Sequence, residues 1–311
     1  MSRSGTYFGL MRSRDDFESD DQLRSFLARQ LAFGRLAISI GAGASLAFGL
    51  PTWADLVARA ARISGCHIAP TLSNAAATDA ILRTLANDEL RFAEVVREAL
   101  YEGYDSSLTR LVRHPLLLAL GALCMGSSRG AVRNVVSFNY DDLLERYLDY
   151  YGFVVDSIAS MPHWQSRADV RIIHPHGLLP SDLAESVTPI VFAQLHYDDV
   201  VSDPRNPWRR ILIDVFSSHT CLFIGLSGDD QHLSSILREV SRAHPAIRRG
   251  DAYWGVRLAR DDGRRGIWED RLVFQRDVVT HEDIPSYLLD LCQRAAAATA
   301  GRRGLGPLNP K

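Results

Sequence analysis

Hydrophobic positions along this chain follow two spacings, one typical of helices and one typical of buried strands. In some segments leucine and phenylalanine recur every three or four residues, whereas others are short, unbroken apolar runs. Unbroken apolar runs separated by helices indicate a parallel sheet that is covered on both faces. The sequence therefore predicts an α/β fold, with a Rossmann-like parallel sheet, helices on both faces and a small helical inserted module.

The predicted elements follow one another over most of the chain. Strands are expected at 36–40, 131–138, 170–173, 188–192, 220–225 and 252–258. Helices are expected at 20–33, 53–63, 141–151, 207–217, 231–242 and 284–297. Thr52 is the expected N-cap of the second helix. Between residues 75 and 126 the apolar spacing is helical throughout, and this stretch is the predicted insert.

Composition narrows the class of protein. The 311 residues include 35 basic and 37 acidic side chains, without the positive excess typical of nucleic-acid-binding proteins. A hydrophobic content of 46% is enough for a core, which excludes the disordered class. The apolar stretch 115–126 is too short to span a bilayer, and the N-terminus lacks a secretory signal. We therefore expect a cytoplasmic protein that binds neither nucleic acid nor membrane.

The cysteines indicate neither a disulfide framework nor a zinc site. The sequence has four, widely separated: Cys66, Cys124, Cys221 and Cys292. A structural zinc ion needs closely spaced pairs of thiolates, and no such pair occurs here. We expect reduced cysteines and no metal.

Four polar or glycine-rich segments directly follow predicted strands. They are 41–45, 137–141, 174–177 and 225–230. The carboxyl ends of parallel strands meet at one edge of a sheet, and ligands of such sheets bind there. We therefore expect the four segments to line one cleft.

Glycines in the first of these segments indicate a diphosphate site. Gly41 and Gly43 let the backbone approach a phosphate closely, and the following N–H groups can donate to its oxygens. The dehydrogenase fingerprint needs a third glycine, but position 46 is leucine, so an ordinary dehydrogenase is excluded. A turn required only for packing explains the glycines equally well.

The last segment also allows more than one interpretation. A serine-hydrolase elbow needs glycine two residues on either side of the serine; Gly225 fits, but position 229 is aspartate. Contacts to a ribose or a diphosphate make better use of Gly225 and Ser227. The alternative without a ligand is a tight strand-to-helix turn capped by Asp229 or Asp230.

Candidate chemistry lies in the second and third segments. The Asn139 amide can hold a sugar hydroxyl or a water, or it can simply cap a helix. Asp141 falls in the first turn of the predicted helix. His176 is a candidate general base, because the pKa of histidine lies near neutrality. His174 is expected to be a core histidine, and a metal pair with His176 is the weaker alternative.

Taken in order, five short motifs resemble the sirtuin family. They are G-A-G-x-S at 41–45, G-x-P-x-W at 49–53, N-x-D at 139–141, H-G at 176–177 and G-x-S at 225–227. Two features depart from the protein-deacylating sirtuins: the paired zinc cysteines are missing, and Trp53-Ala54 stands where those enzymes have phenylalanine and arginine. In both features the chain resembles the zinc-free bacterial branch associated with anti-phage defence, whose members consume NAD.

This resemblance implies an NAD glycohydrolase that splits NAD, its substrate, into nicotinamide and ADP-ribose. The catalytic residues would be Asn139, His176 and Asp141. The cofactor-binding residues would be Gly41, Ala42, Gly43, Ser45, Thr52, Trp53, Gly225 and Ser227. Two alternatives stay open: an NAD-dependent protein deacylase, and a non-catalytic subunit that senses a nucleotide.

The same resemblance implies an organisation and partners. Residues 1–34 would be a helical extension, 35–290 the sirtuin-like NAD-binding catalytic domain with the insert at about 75–126, and 291–311 a helix end with a flexible tail. Because unregulated hydrolysis would deplete the host of NAD, a homo-oligomer and a regulatory partner subunit are expected.

Overall fold

A computed structural model describes residues 19–69, 71–126, 130–164, 166–196, 203, 205–227, 230–243, 255–259, 273–277 and 280–303. The helices and strands in these ranges are α1 (Asp20–Ala32), β1 (Leu36–Ile40), α2 (Ala42–Phe48), α3 (Trp53–Ser64), α4 (Asn74–Thr84), α5 (Glu89–Tyr101), α6 (Leu108–Leu111), α7 (Pro115–Cys124), β2 (Asn134–Ser137), α8 (Leu143–Tyr150), β3 (Val155–Ile158), β4 (Val170–Ile173), α9 (Pro207–Ser218), β5 (Thr220–Ile224), α10 (Gln231–Ala243), β6 (Gly255–Ala259), β7 (Val273–Asp277) and α11 (Ile284–Arg303). Helices and strands alternate along much of these ranges, except for the run of helices between β1 and β2 and the paired strands β3–β4 and β6–β7.

The strands in the described ranges form one parallel sheet of seven, in the order β3-β4-β2-β1-β5-β6-β7. Strand β1 lies between β2 and β5, so Ile38 is opposite both Val135 and Leu222. After β1 the chain adds strands on the β2 side and then returns to build the β5 side. The strand order therefore reverses at β1, and in doubly wound sheets the ligand crevice lies at such a reversal.

Helices cover both faces of the sheet, as the sequence predicts. Side chains alternate along a strand, so Ile38 packs into a core shared with α1, α7, α8 and α11. Its neighbour Ala37 packs into a second core shared with α9 and α10. All residues of β1 and β5 are buried, which explains why both strands are mostly apolar. The predicted fold class is confirmed.

The strand predictions are wrong at three places. Strands β3 and β7 were not predicted, and both lie at edges of the sheet. Residues 188–192 are not a strand but pack beside the turn that follows β4. There the N–H of Val191 donates to the carbonyl of His176, and the carbonyl of Val191 accepts from the hydroxyl of Tyr140. Ile190 and Phe192 are thus buried without joining the sheet, a difference that a short apolar run does not encode.

Other elements match the predictions with shifts at their ends. Strand β2 begins at Asn134 rather than at 131, and α8 begins at Leu143 rather than at 141. Helix α2 begins at Ala42, inside the segment predicted as a turn. Helix α11 continues to Arg303, into the predicted tail. Residues 252–254 of one predicted strand, 304–311 of the tail and 1–18 of the predicted extension lie outside the described residues.

The stretch 75–126, predicted as a helical insert, is built from helices α4 to α7. Helices α3, α4 and α5 contact one another, whereas α7 packs against α8 and α11 beside the sheet. Their buried residues belong to the same core as Ile38 of the central strand. The helical character is confirmed, and the division into a domain and an insert stays a prediction.

The first and last described helices pack together. Arg24 of α1 donates to the Asp290 carboxylate at 3.1 Å and lies 4.1 Å from the ring centroid of Tyr287, both on α11. Helix α1, which belongs to the predicted N-terminal extension, is thereby attached to α11. No helix in the described ranges is long and apolar enough to cross a membrane.

Candidate active site

The four segments singled out in the sequence lie together at the carboxyl ends of four neighbouring strands. They follow β1, β2, β4 and β5, which are neighbours in the order β4-β2-β1-β5. Because these strands are parallel, their carboxyl ends share an edge. The strand at which the order reverses, β1, lies among these four strands.

The turns after β1 and β5 interlock through their backbones. The N–H of Gly41 donates to the Ile224 carbonyl at 3.0 Å, and the N–H of Gly43 donates to the Gly225 carbonyl at 2.8 Å. Gly225 has a φ of +68°, and a Cβ there would lie 2.4 Å from the Ala44 nitrogen. A Cβ on Gly43 would lie 2.7 Å from the Cα of Gly225. These glycines are required by the close approach of two backbones.

This packing uses amide groups that the sequence assigned to a phosphate. Besides the N–H groups of Gly41 and Gly43, that of Ala44 donates to the Gly41 carbonyl at 2.8 Å. The glycines alone therefore do not indicate a phosphate. Within the segment, Ala42 opens α2, and the first N–H groups of a helix have no acceptor inside it.

The turn after β5 ends in a helix cap. The N–H of Leu233 donates to Asp230 Oδ1 at 2.8 Å, so Asp230 caps the start of α10, as one interpretation predicts. Arg257 of β6 is buried and donates from Nε to the Leu226 carbonyl at 3.1 Å. Arg257 was not among the predicted site residues, although an arginine in a buried strand is itself an unusual signal. Ser227 is exposed, and residues 228–229 lie outside the described residues.

Asn139 connects the turns after β1, β2 and β4. Its side-chain Nδ2 donates to the Gly41 carbonyl at 3.0 Å, and its own carbonyl faces Nδ1 of His174 at 3.3 Å. The residue is only 6% exposed. Its amide therefore bridges two strands instead of capping α8, which begins after Asp142.

Asp141 lies two residues further on and is held from the turn after β1. The Ser45 hydroxyl donates to Asp141 Oδ2 at 2.5 Å, and the N–H of Leu143 donates to Oδ1 at 3.4 Å. Burial raises the pKa of Asp141 to about 6, and the nearby carboxylates of Glu145 and Asp142 act in the same direction. The hydroxyl of Ser45 thus serves this carboxylate.

His174 is a fully buried core histidine, as predicted. Its Nε2 lies 2.5 Å from Glu145 Oε1, and its Nδ1 faces the carbonyl of Asn139. Burial lowers the pKa of His174, but the Glu145 carboxylate outweighs it, so the pKa is raised above the ordinary value. Glu145 was not among the predicted site residues, although it follows Asp141 by four residues in the predicted helix 141–151, a spacing that brings side chains together.

His176 faces a different environment, on the side of α10. Its ring centroid lies 5.2 Å from that of Phe138 and 5.6 Å from that of His232. Burial lowers the pKa of His176, while Asp230 opposes the shift. Since His174 binds Glu145 on α8 and His176 contacts His232 on α10, the two rings do not form the metal pair weighed from the sequence.

His232, which the sequence analysis missed, is fully buried. Its Nδ1 lies 3.4 Å from Nε2 of His176. Its Nε2 has no hydrogen-bond partner among the described residues. Burial, together with the neighbouring His176, lowers the pKa of His232 to about 3. No sequence spacing links the two histidines, which are 56 residues apart.

The two remaining predicted site residues lie at the start of α3. Thr52 is its N-cap, with Oγ accepting from the N–H of Asp55 at 3.1 Å. Trp53 is 39% exposed and packs on Phe192, with ring centroids 4.5 Å apart. Phe192 in turn contacts the ring of Tyr140 at 5.6 Å, in the turn that carries Asn139 and Asp141. Trp53 therefore reaches this turn through one intervening aromatic ring.

Two further features of the described ranges concern metal binding and a cavity. In the described ranges no three His, Cys, Asp or Glu side chains are grouped so that they could hold a metal ion. A cavity of about 620 Å³ lies near the amino ends of β2 and β4, where its lining includes Arg133, Tyr147 and Asp169. Because Arg133 and Asp169 directly precede these strands, the cavity lies at the amino ends of the strands, and none of the predicted site residues lines it.

A known protein family matches the part of the chain that follows helices α4 to α7. Residues 133–273 match the model of the SIR2-like domain, which includes Asn139, Asp141, His176, Gly225 and Ser227. The recognition of a sirtuin-like family is thus confirmed for this segment. No curated protein matches the sequence significantly.

Two solved structures are similar to the whole chain at low identity. One, titled as a crystal structure of a Sir2 homologue–NAD complex, is 15% identical, with 90% of this chain and 95% of that chain covered and a TM-score of 0.45. The other, titled as the structural basis for the mechanism and regulation of Sir2 enzymes, is 14% identical. It covers 91% of this chain and 100% of its own, with a TM-score of 0.47.

Proposed function

We propose that this chain, with its SIR2-like domain over 133–273, is an NAD hydrolase that releases nicotinamide and ADP-ribose. One observation carries the proposal: at the reversal of strand order, Asn139 and Asp141 are both bonded to the turn after β1, and the ring of His176 packs on Phe138, the residue next to Asn139. An amide, a carboxylate and an imidazole are groups that can hold ribose hydroxyls, face a positive charge and accept a proton.

The reaction itself defines what these groups have to do. The bond to be broken joins a positively charged pyridinium to the anomeric carbon of ribose, so nicotinamide leaves neutral and needs no acid. The barrier is the formation of an oxocarbenium-like centre, which oriented dipoles stabilise and water then attacks. The protein therefore has to position the ribose, stabilise developing positive charge and accept one proton.

Asn139 is assigned the positioning of the ribose or of the attacking water. Its Nδ2 already donates to the Gly41 carbonyl, so the amide plane is held and its oxygen is the atom left to accept from a hydroxyl. Because Asn139 is buried, the hydrogen bond between its side-chain oxygen and the hydroxyl would form in surroundings of low dielectric constant. Orientation fixed before the ligand arrives lowers the cost of reaching the transition state.

Asp141 is assigned to line the nicotinamide pocket. With a pKa of about 6 it is ionised at neutral pH, and its charge favours a cationic ring and a cationic ribose centre. His176 is assigned to accept the proton from a ribose hydroxyl or from the water. Since its pKa is lowered by burial, it is neutral and able to accept a proton at pH 7.

The remaining contacts to NAD follow from the places of the turns. The diphosphate is assigned to the turn 41–45, where the Ala42 N–H opens α2. The adenosine side is assigned to Gly225 and Ser227, and Trp53 would close the cleft from the start of α3. Regulation by self-assembly and by a partner subunit, and a role in bacterial defence through NAD depletion, complete the proposal.

Chromatography of NAD incubated with the purified protein, with and without an acylated peptide, tests the proposal. Nicotinamide and ADP-ribose appearing in equal amounts without peptide support NAD hydrolysis. Nicotinamide that appears only with the peptide, together with an acylated ADP-ribose, would replace the proposal with a deacylase. NAD that binds but stays intact in both reactions would identify a nucleotide-sensing subunit.

A further inference from the structure

The strongest feature that the proposed mechanism leaves unexplained is His232. It occupies the second position of α10, whose start is capped by Asp230, and it is completely buried. A buried histidine usually satisfies both ring nitrogens, because leaving a polar atom unpaired away from water is energetically costly. Here Nδ1 faces His176, whereas Nε2 has no partner among the described residues.

The neighbour of His232 constrains where the hydrogens lie. His176 also hydrogen-bonds to the backbone of Phe138, and a carbonyl can only accept. We assign the hydrogen of neutral His176 to the nitrogen that faces Phe138. Its Nε2 is then an acceptor, so Nδ1 of His232 carries the donated hydrogen and Nε2 of His232 presents a lone pair.

We propose that His232 and His176 form a proton relay in which Nε2 of His232 binds the reacting hydroxyl. This inference rests on the proposed function and deepens it, since it names the atom that contacts the ribose hydroxyl or the attacking water. When that O–H bond breaks, its proton joins Nε2 of His232. The Nδ1 proton of His232 moves to Nε2 of His176, which becomes an imidazolium, while His232 stays neutral.

The charges around the pair favour a proton on His176 rather than on His232. Asp230 attracts a positive charge on both rings, whereas Arg209 repels one on His232 and His176 itself repels a second charge. Burial disfavours a charge on either ring. The imidazolium formed at the end of the relay is therefore held beside the Phe138 carbonyl, where a hydrogen bond stabilises it.

The tautomers can be measured without any substrate. In ¹⁵N-detected imidazole spectra of the whole protein at pH 7, both His176 and His232 are expected to carry their hydrogen on Nδ1. Free histidine prefers Nε2, so this result would be distinctive. A hydrogen on Nε2 of His232 would overturn the relay, whether or not the protein hydrolyses NAD.

Kinetics of variants test the relay in the reaction. His232→Gln should lower kcat about 100-fold with KM within about twofold of its original value. Combining it with His176→Gln should cause no further loss, because the two rings act as one unit. The matched control is His219→Gln, which replaces a half-buried histidine directly before β5 and should keep full activity.

Different results would contradict the proposed function and the proton relay. If the original protein releases no nicotinamide from NAD, the proposed function is wrong, and the spectra still decide the tautomers. If it releases nicotinamide and folded His232→Gln does so at the same rate, the relay is wrong and the proposed function stands. Additive losses in the double variant would also overturn the relay. His232→Asn provides a second neutral amide if the glutamine variant does not fold.

Discussion

The hydroxyl of Ser45 donates to the carboxylate of Asp141 over 2.5 Å, although the two residues are 96 positions apart in sequence. The bond connects α2, after the central strand, with the turn that precedes α8. Burial raises the pKa of Asp141, whereas this hydrogen bond lowers it. Ser45 therefore keeps the carboxylate ionised at neutral pH in a place that favours its neutral form.

Substituting Asp141→Asn should change how stability depends on pH. Burial raises the pKa of Asp141 from 3.8 to about 6, so the folded state holds this proton more tightly than the unfolded state does. Stability from this group is thus lost as pH rises from about 4 to about 6, by roughly 3 kcal/mol. The asparagine variant, which can still accept from Ser45, should lack this loss in urea unfolding between pH 4 and 8. Parallel pH profiles for the two proteins would contradict this explanation.

Substituting Glu145→Gln should destabilise the protein most at low pH. The pKa of His174 is raised in the folded state, so the stability from its pair with Glu145 is present below pH 6.5 and is lost as pH rises through the folded pKa. Removing one partner of a buried pair costs about 3–5 kcal/mol, which urea unfolding at pH 6 would measure. Glu94→Gln, from an exposed pair with Arg91, is the control and should cost less than about 1 kcal/mol. An equal loss at pH 6 and at pH 9 would argue against a charged His174.

Substituting Asn139→Ala should abolish nicotinamide release while lowering the free energy of unfolding by about 1 kcal/mol. The first effect follows from the loss of the proposed ribose contact. The second follows from the buried Gly41 carbonyl, which loses the Asn139 donor and keeps the donor from the Ala44 N–H. Asn206→Ala, which removes the N-cap of α9, costs a similar free energy of about 1 kcal/mol far from this turn. It should keep its activity. Turnover by Asn139→Ala at the original rate would remove this residue from the mechanism.

Substituting Gly225→Ala should cost much more stability than the same change at Gly65. Both glycines have φ near +70°, so both variants carry a backbone strain of about 1–2 kcal/mol. A Cβ at Gly225 would also meet the Ala44 nitrogen at 2.4 Å, whereas Gly65 has open space around it. We expect the difference in unfolding free energy to exceed about 2 kcal/mol, measured by denaturant unfolding. Equal costs would mean that the turns after β1 and β5 are free to separate.

The fold class and the edge that carries the site could be predicted from the sequence. Burial on both faces leaves a mostly apolar run such as 36–40 or 220–224, and glycine-rich or polar segments begin where such a strand ends. Thr52 was predicted as a cap and is one, because capping depends on residues within a single turn. Features that depend only on near neighbours or on burial are therefore encoded locally.

Only the tertiary structure decided which polar groups meet. Glu145 pairs with His174, and His232 lies against His176, because β2, β4 and β5 end at one edge of the sheet. Strand order is a property of the whole chain, so no local pattern specifies these partners. The same holds for residues 188–192, which form a loop beside His176 that buries only Ile190 and Phe192. Sequence determined where side chains are buried, and packing determined what they touch, because hydrophobic burial is non-directional whereas hydrogen bonds need defined geometry.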